Sequence, residues 1–198
     1  MNFCVGHGAE PDMDLVANVA KTAENNGFTY MTLLDAPGKT LDVHLMMAEA
    51  ARNTKNLIVG HGVASILTYY PLTLANASAS VDKSFPGRVF IGLGTGNALG
   101  KRMPPAKHKD MREAVNFIRN HMAGEEVDHR GDPMQSKWSR NSVPIYISAH
   151  GPKTLQLAGE IADGVIFLGS NPIYVKWQLE QIATCAERAG RDPSTIDT

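Results

Sequence analysis

Six short runs of apolar residues recur along the chain, and none shows the strict in–out alternation of a half-buried strand. They are "MNFCVGHG", "FTYMTLLD", "NLIVGHGVAS", "RVFIGLGTG", "VPIYISA" and "DGVIFLG". A strand that is apolar on both faces has to be covered on both, which is the situation of a parallel sheet. Between the runs lie helical patterns. One starts at Asp12, with Leu15, Val16, Val19, Ala20 and Ala23 on one face and Gly27 as its stop. A second comes after the Pro37-Gly38 turn, with Thr40 as its expected cap and Ala51 near its end. Others are expected from Pro71, over Lys109 to Met122, in "PKTLQLAGEIA", and from Pro172 to Ala189. Gly159 in the "PKTLQLAGEIA" pattern is expected to permit close approach of that helix to the sheet. The stretch "GEEVDHRGDPMQSKWSRNS" reads as a polar loop.

Repeated βα units allow either a doubly wound open sheet or a (β/α)8 barrel. With 198 residues, no linker and no change of composition, residues 1–198 read as a single domain.

Composition narrows the function classes. Nineteen basic residues against twenty acidic leave a formal charge of -1 without a long like-charge run, so neither nucleic acid nor an anionic membrane is an expected partner. No apolar stretch approaches the ~20 residues of a bilayer span. The first twenty residues, with Glu10, Asp12 and Asp14, lack the apolar core of a secretory signal. Cys4 and Cys185 stand alone, as expected of reduced thiols in a cytoplasmic protein. His7 closes the first run without a second ligand nearby, and no metal site is expected.

The fourth run carries glycines at alternate positions, Gly92, Gly94 and Gly96. A dinucleotide fingerprint starting at Gly92 needs its third glycine where Asn97 stands, and one starting at Gly94 needs it at Leu99. Both registers fail, which speaks against a nicotinamide dehydrogenase. Alternate glycines strip one face of a strand, and Gly60 and Gly62 repeat the device in the third run. Two neighbouring bare faces suggest a shelf for a flat ligand, with barrel packing as the competing use of Gly92.

"VPIYISAHGPKTLQLAGEIADGVIFLGSNP", "PLTLANASASVDKSFPGRVFIGLGTGNALG" and "AGRDPSTID" together resemble the bacterial-luciferase-like oxidoreductases, in particular the branch similar to methylenetetrahydromethanopterin reductase. The resemblance implies a (β/α)8 TIM barrel that binds reduced FMN or the deazaflavin coenzyme F-420 at the C-terminal mouth. About six of eight βα units are visible, so the chain is expected to be the N-terminal part of such a barrel, truncated after Thr198.

The same resemblance assigns candidate residues. Asp35 would lie near the ring, with capping of the adjoining turn as its structural alternative. Gly62, Val63, Ala64 and Ser65 would form a bulged strand pressed against the ring, with a strained or cis peptide expected there; His61, which points opposite to Gly60 and Gly62 on a regular strand, reads as a packed structural histidine. Gly96 and Asn97 would border the ligand. Ala149, His150, Gly151, Pro152 and Lys153 open a helix whose N-terminus suits a cofactor phosphate, and Gly169 and Ser170 would complete the rim. His150, Asn97 and Asp35 are the catalytic candidates.

Two positions depart from the deazaflavin pattern, Ala36 where His is usual and Asn97 where a carboxylate is usual, and two depart from the family at large, Ser65 where Asn is common and Tyr69 where Arg is common. An amide cannot shuttle a proton as a carboxylate does. The first two tilt the expectation toward a monooxygenase that takes reduced FMN from a separate flavin reductase and uses oxygen on a small organic substrate. Coenzyme F-420-dependent hydride transfer is the alternative, and a non-catalytic flavin-binding protein is a third reading. A homo-oligomer is the expected assembly.

Overall fold

The computed structural model describes residues 3–8, 10–96, 104–167, 169 and 171–198. Its strands and helices run in the order β1 Cys4–His7, α1 Met13–Asn25, β2 Tyr30–Leu33, α2 Val43–Arg52, β3 Ile58–His61, β4 Ala64–Ser65, α3 Pro71–Ser84 and β5 Val89–Gly94. Next come α4 His108–Ala123, β6 Glu126–His129, β7 Asp132–Gln135, β8 Ile145–Ser148, α5 Pro152–Ile161, β9 Gly164–Ile166 and α6 Pro172–Arg188.

The parallel strands pair in the order β1-β2-β3-β5-β8-β9, with β4 also on β5. That order keeps to the chain without reversal. A doubly wound sheet reverses its strand order at a switch point, so the doubly wound alternative falls. A sheet wound in one sense, with helices outside, is the wall of a (β/α) barrel. Asp197 adds a parallel bridge to Gly164, which continues the winding beyond β9.

The outer face of this wall is the core. Met31, Leu33, Val59, Ile91, Leu93, Ile145 and Ile147 are buried against Val16, Met46, Met47, Leu74, Val115, Ile118 and Leu155 of the helices. Each such side chain contributes about 1.5–3 kcal/mol relative to exposure. The inner face carries Tyr30, Thr32, Phe90 and Tyr146, which line an open trough of about 410 Å³ together with Ile166 and Asp197.

Two local expectations change. Asp42, not Thr40, caps α2: its Oδ1 accepts from His44 N and Leu45 N, at 3.0 and 3.1 Å. Thr40 instead closes its own turn on Ala36, where Oγ1 accepts from the backbone N–H and donates to the carbonyl.

The segment expected as a polar loop contains the antiparallel hairpin β6–β7, with His129 opposite Asp132. Arg130 and Gly131 both take positive φ, 59° and 92°. That is the two-residue turn whose twist matches a hairpin, and the Arg-Gly pair flanked by "EVDH" and "DPMQ" is its signal in the sequence.

Candidate functional site

In a parallel barrel wall all strands point the same way, so the loops after them gather at one rim. Asp35 comes after β2, Gly62–Ser65 after β3, Gly96 after β5, Ala149–Lys153 after β8 and Gly169 after β9. Asn97 and Ser170 lie outside the described residues. Every candidate that is described therefore stands on the C-terminal rim, though not all are neighbours. Asp35 and His150 are three strand steps apart, roughly 14 Å at the usual strand spacing.

The middle of the rim is built by a bulge. Val59 pairs with Val89 and Gly60 with Phe90, whereas Ala64 pairs with Leu93 and Ser65 with Gly94. Four residue steps on one strand thus match three on the other, an insertion that bends the strand and re-aims the residues after it. The Gly62–Val63 peptide inside the bulge is cis, and Gly62 N donates to Leu33 O at 2.8 Å. Ser65 is buried, and its Oγ accepts from Leu67 N at 3.2 Å.

The alternate glycines serve packing rather than an open shelf. A Cβ on Gly60 would stand 2.5 Å from the Phe90 ring, one on Gly62 2.6 Å from Thr32 Cβ, and one on Gly94 2.6 Å from Val63 Cγ2. At Gly92 the obstacle is the carbonyl of His61, and at Gly96, whose φ is +83°, it is the Ser65 side chain. The space that the missing side chains leave is filled by protein, so any ligand surface belongs to the bulge and the loops above these strands.

Asp35 lies two residues past the end of β2 and is only 3% exposed. Tyr69 Oη donates to its Oδ1 at 3.3 Å, while Oδ2 is buried without a partner. Burial pushes the carboxyl up to about 6; the Asp42 charge acts in the same direction and the Tyr69 hydrogen bond opposes it. Turn capping, the alternative role, is taken by Thr40 and Asp42.

His150 is half-buried, its Nε2 3.5 Å from Ser148 Oγ, and its carbonyl accepts from Tyr174 Oη at 2.7 Å. Ala149 is fully buried, with its carbonyl accepting from Gln178 Nε2 at 3.3 Å. Gly151 is the N-cap of α5, Pro152 its first residue, and no side chain caps the turn. Lys153 is exposed there, and Gly169 is exposed with nothing near its Cβ direction.

Four features of this region lie beyond the candidates that the sequence offers. Tyr69 is the only side chain bonded to Asp35 among the described residues. His61 is fully buried, as expected, but its Nε2 lies 3.2 Å from His44 Nε2 on α2. The His44 ring meets the Tyr69 ring edge-on, at 5.7 Å and 85°. His7 is also buried, with Nε2 unpartnered. No local pattern announces these contacts, because the partners sit 17 to 34 residues apart.

A single-sense β/α wall, with the loops after its strands gathered at one rim, defines a protein of the (β/α) barrel class. The chain belongs to the luciferase-like monooxygenase family, whose sequence profile matches residues 2–198. It is 34% identical over 191 residues to 5,10-methylenetetrahydromethanopterin reductase of Methanolobus tindarius, covering 92% of this chain and 58% of that protein. It is 32% identical over 203 residues to the F-420-dependent hydroxymycolic acid dehydrogenase of Mycobacterium tuberculosis, covering 92% of this chain and 56% of that one.

Among solved structures, the coenzyme F-420-dependent tetrahydromethanopterin reductase of Methanopyrus kandleri superposes with a TM-score of 0.87 at 26% identity, over 99% of this chain and 64% of that one. The chain thus spans between half and two thirds of the length of these relatives. Among the described residues no helix is long and apolar enough to cross a membrane.

Proposed function

We propose that the chain forms the cofactor-facing part of a coenzyme F-420-dependent oxidoreductase that passes hydride between the deazaflavin and a small organic substrate. The observation that carries this reading is the buried Asp35 carboxyl, with one oxygen unpartnered, on the same rim as the Gly62–Ser65 bulge. A buried polar atom without a partner is costly unless a ligand supplies one, so the residues present fit a ring with hydrogen-bonding edges.

The choice of cofactor departs from the tilt of the sequence. Ala36 and Asn97 favour FMN, but they are two positions, and the relatives whose names state a cofactor at this level of identity state F-420. The separate flavin reductase required by the FMN reading is then not needed.

When bound, the deazaflavin supplies or accepts the hydride. The chain supplies the rest. The bulged backbone at Gly62–Ser65 backs the ring plane, and the uncapped first turn of α5 with Lys153 offers N–H groups and positive charge to the phosphate. Asp35 holds or releases a proton at Oδ2, and a carboxyl titrating near 6 does both around neutral pH. His150 borders the substrate side from β8. Gly96, Asn97, Gly169 and Ser170 are assigned to the remaining rim on the strength of the resemblance.

The test is parallel titration of the purified chain with coenzyme F-420 and FMN, monitored by fluorescence. The expected result is tighter binding of F-420, by at least about tenfold, or 1.4 kcal/mol. Tighter binding of FMN, or binding of neither, removes the reading. Lys153→Ala should weaken F-420 binding about threefold, the modest effect of one exposed charge.

A further inference from the structure

Among the described residues, Asp35 Oδ2 is the one buried carboxylate oxygen without a hydrogen-bond partner. The two oxygens of this carboxyl are therefore not equivalent, and the difference is made by a residue outside β2. We propose that Tyr69 is a positioning residue for the acid of the site: its hydroxyl engages Asp35 Oδ1, which leaves Oδ2 as the proton-carrying oxygen, and the buried His44–His61 pair holds the Tyr69 ring in place.

The inference deepens the oxidoreductase reading and rests on it for the identity of the site. Its geometry stands independently: the hydroxyl lies 3.3 Å from Oδ1, and Asp35 is 3% exposed. An oxygen that accepts a hydrogen bond is a poor place for the acid's own proton, so a protonated Asp35 carries it on Oδ2.

Tyr69 remains a donor at every working pH, because burial, then the charges of Asp35 and Asp42, push its own ionisation far up. A cation at position 69 would instead hold Asp35 ionised. A phenol orients the carboxyl and leaves its proton available.

The ring is held by α2, which is itself tied to β3. His44 of α2 packs edge-on against it, and His44 Nε2 meets His61 Nε2 of β3 at 3.2 Å. Burial lowers both imidazoles, His61 to about 3, so both are neutral and one Nε2 donates to the other. The groups that face this acid are Tyr69 and, by charge, Asp42 at the head of α2; His44 reaches it through the Tyr69 ring, and His61 through His44.

The experiment uses the cofactor-free chain with aspartate labelled at Cγ by carbon-13, the Asp35 signal being assigned by its loss in Asp35→Asn. In the wild type this signal should titrate near 6. Tyr69→Phe should raise the midpoint by about one pH unit, the value of a hydrogen bond to a charged acceptor. Incorporation of 3-fluorotyrosine, a stronger donor of nearly the same size, should lower it, which keeps the test decisive even where Tyr69→Phe fails to fold.

In the cofactor-loaded enzyme the same limb of the pH profile of kcat should move with Tyr69→Phe while KM stays close to wild type. An Asp35 midpoint among the ordinary carboxylates, or one that ignores both changes at Tyr69, overturns the proposal. Failure to bind F-420 alongside a midpoint that moves as stated removes the cofactor reading alone.

Discussion

Asp35 is an acid that the fold keeps away from water, and its cost should be measurable as stability. Its carboxyl is raised from 3.8 to about 6 in the folded chain. A raised acid binds its proton more tightly when folded, so its favourable contribution is complete below the unfolded value and disappears as pH rises through about 6. Asp35→Asn, which never ionises, should therefore unfold at higher denaturant than wild type at pH 8. The gain is up to about 3 kcal/mol at 1.36 kcal/mol per unit, and the two curves should converge near pH 4. A gap independent of pH would show that Asp35 is not buried as described. This residue is legible in the sequence through the family resemblance, which implies an acid near the ring at the end of the second apolar run. Tyr69, its partner 34 residues away, is legible only as a departure from a pattern.

Helices and strands meet through contacts that set two further expectations. The elements obey hydrophobic period and glycine or proline punctuation, which is why the runs of the sequence reappear as strands; the Thr40 cap and the β6–β7 hairpin are the exceptions. Gly159, expected to let its helix approach the sheet, instead lies against α6. A Cβ there would stand 2.8 Å from Ile182 O, 2.9 Å from Cys185 Cβ and 3.0 Å from Ala186 N. Backbone atoms cannot yield as a side chain does, so Gly159→Ala should push α5 from α6 and cost about 1–3 kcal/mol in chemical denaturation. Gly151→Ala, with nothing within 4 Å, is the control and should fall within about 0.5 kcal/mol of wild type.

The α2–β3 contact should respond to acid in the opposite sense to Asp35. His61 is lowered from 6.5 to about 3, so its contribution is present above 6.5 and is lost as pH falls through that window. Stability should drop by roughly 2 kcal/mol between pH 6.5 and 5, and His61→Phe, which cannot titrate, should flatten that slope. An unchanged slope in the variant would place the acid sensitivity elsewhere.

The curvature of the sheet brings together residues that no local pattern relates. Tyr30 of β2 and Tyr146 of β8 both donate to Asp197 Oδ2, at 2.9 and 2.6 Å, although Tyr30 and Asp197 are 167 residues apart. Burial, together with these hydrogen bonds and the Asp197 charge, pushes the Tyr146 phenol far up and the Tyr30 phenol up as well. Asp197→Ala would leave two phenols facing the trough without their acceptor. It should lower the unfolding free energy by roughly 1–3 kcal/mol and bring the Tyr146 ionisation down in a spectrophotometric titration. If neither moves, Asp197 does not tie the wall across its inner face.

Composition and periodicity settled the class of fold and the order of its parts, since continuous apolar strands need cover on both sides and helices of matching length supply it. They also put at strand ends, where a parallel wall must present them, the candidate residues that the family resemblance implies. They did not decide between an open and a curled sheet, the occupant of the glycine gaps, or the partner of each buried polar atom. Phe90 over Gly60, the His44–His61 pair and the Tyr69–Asp35 hydrogen bond arise only when strands distant in sequence are set side by side. Packing and desolvation act between neighbours in space, and a linear order of residues does not contain those distances.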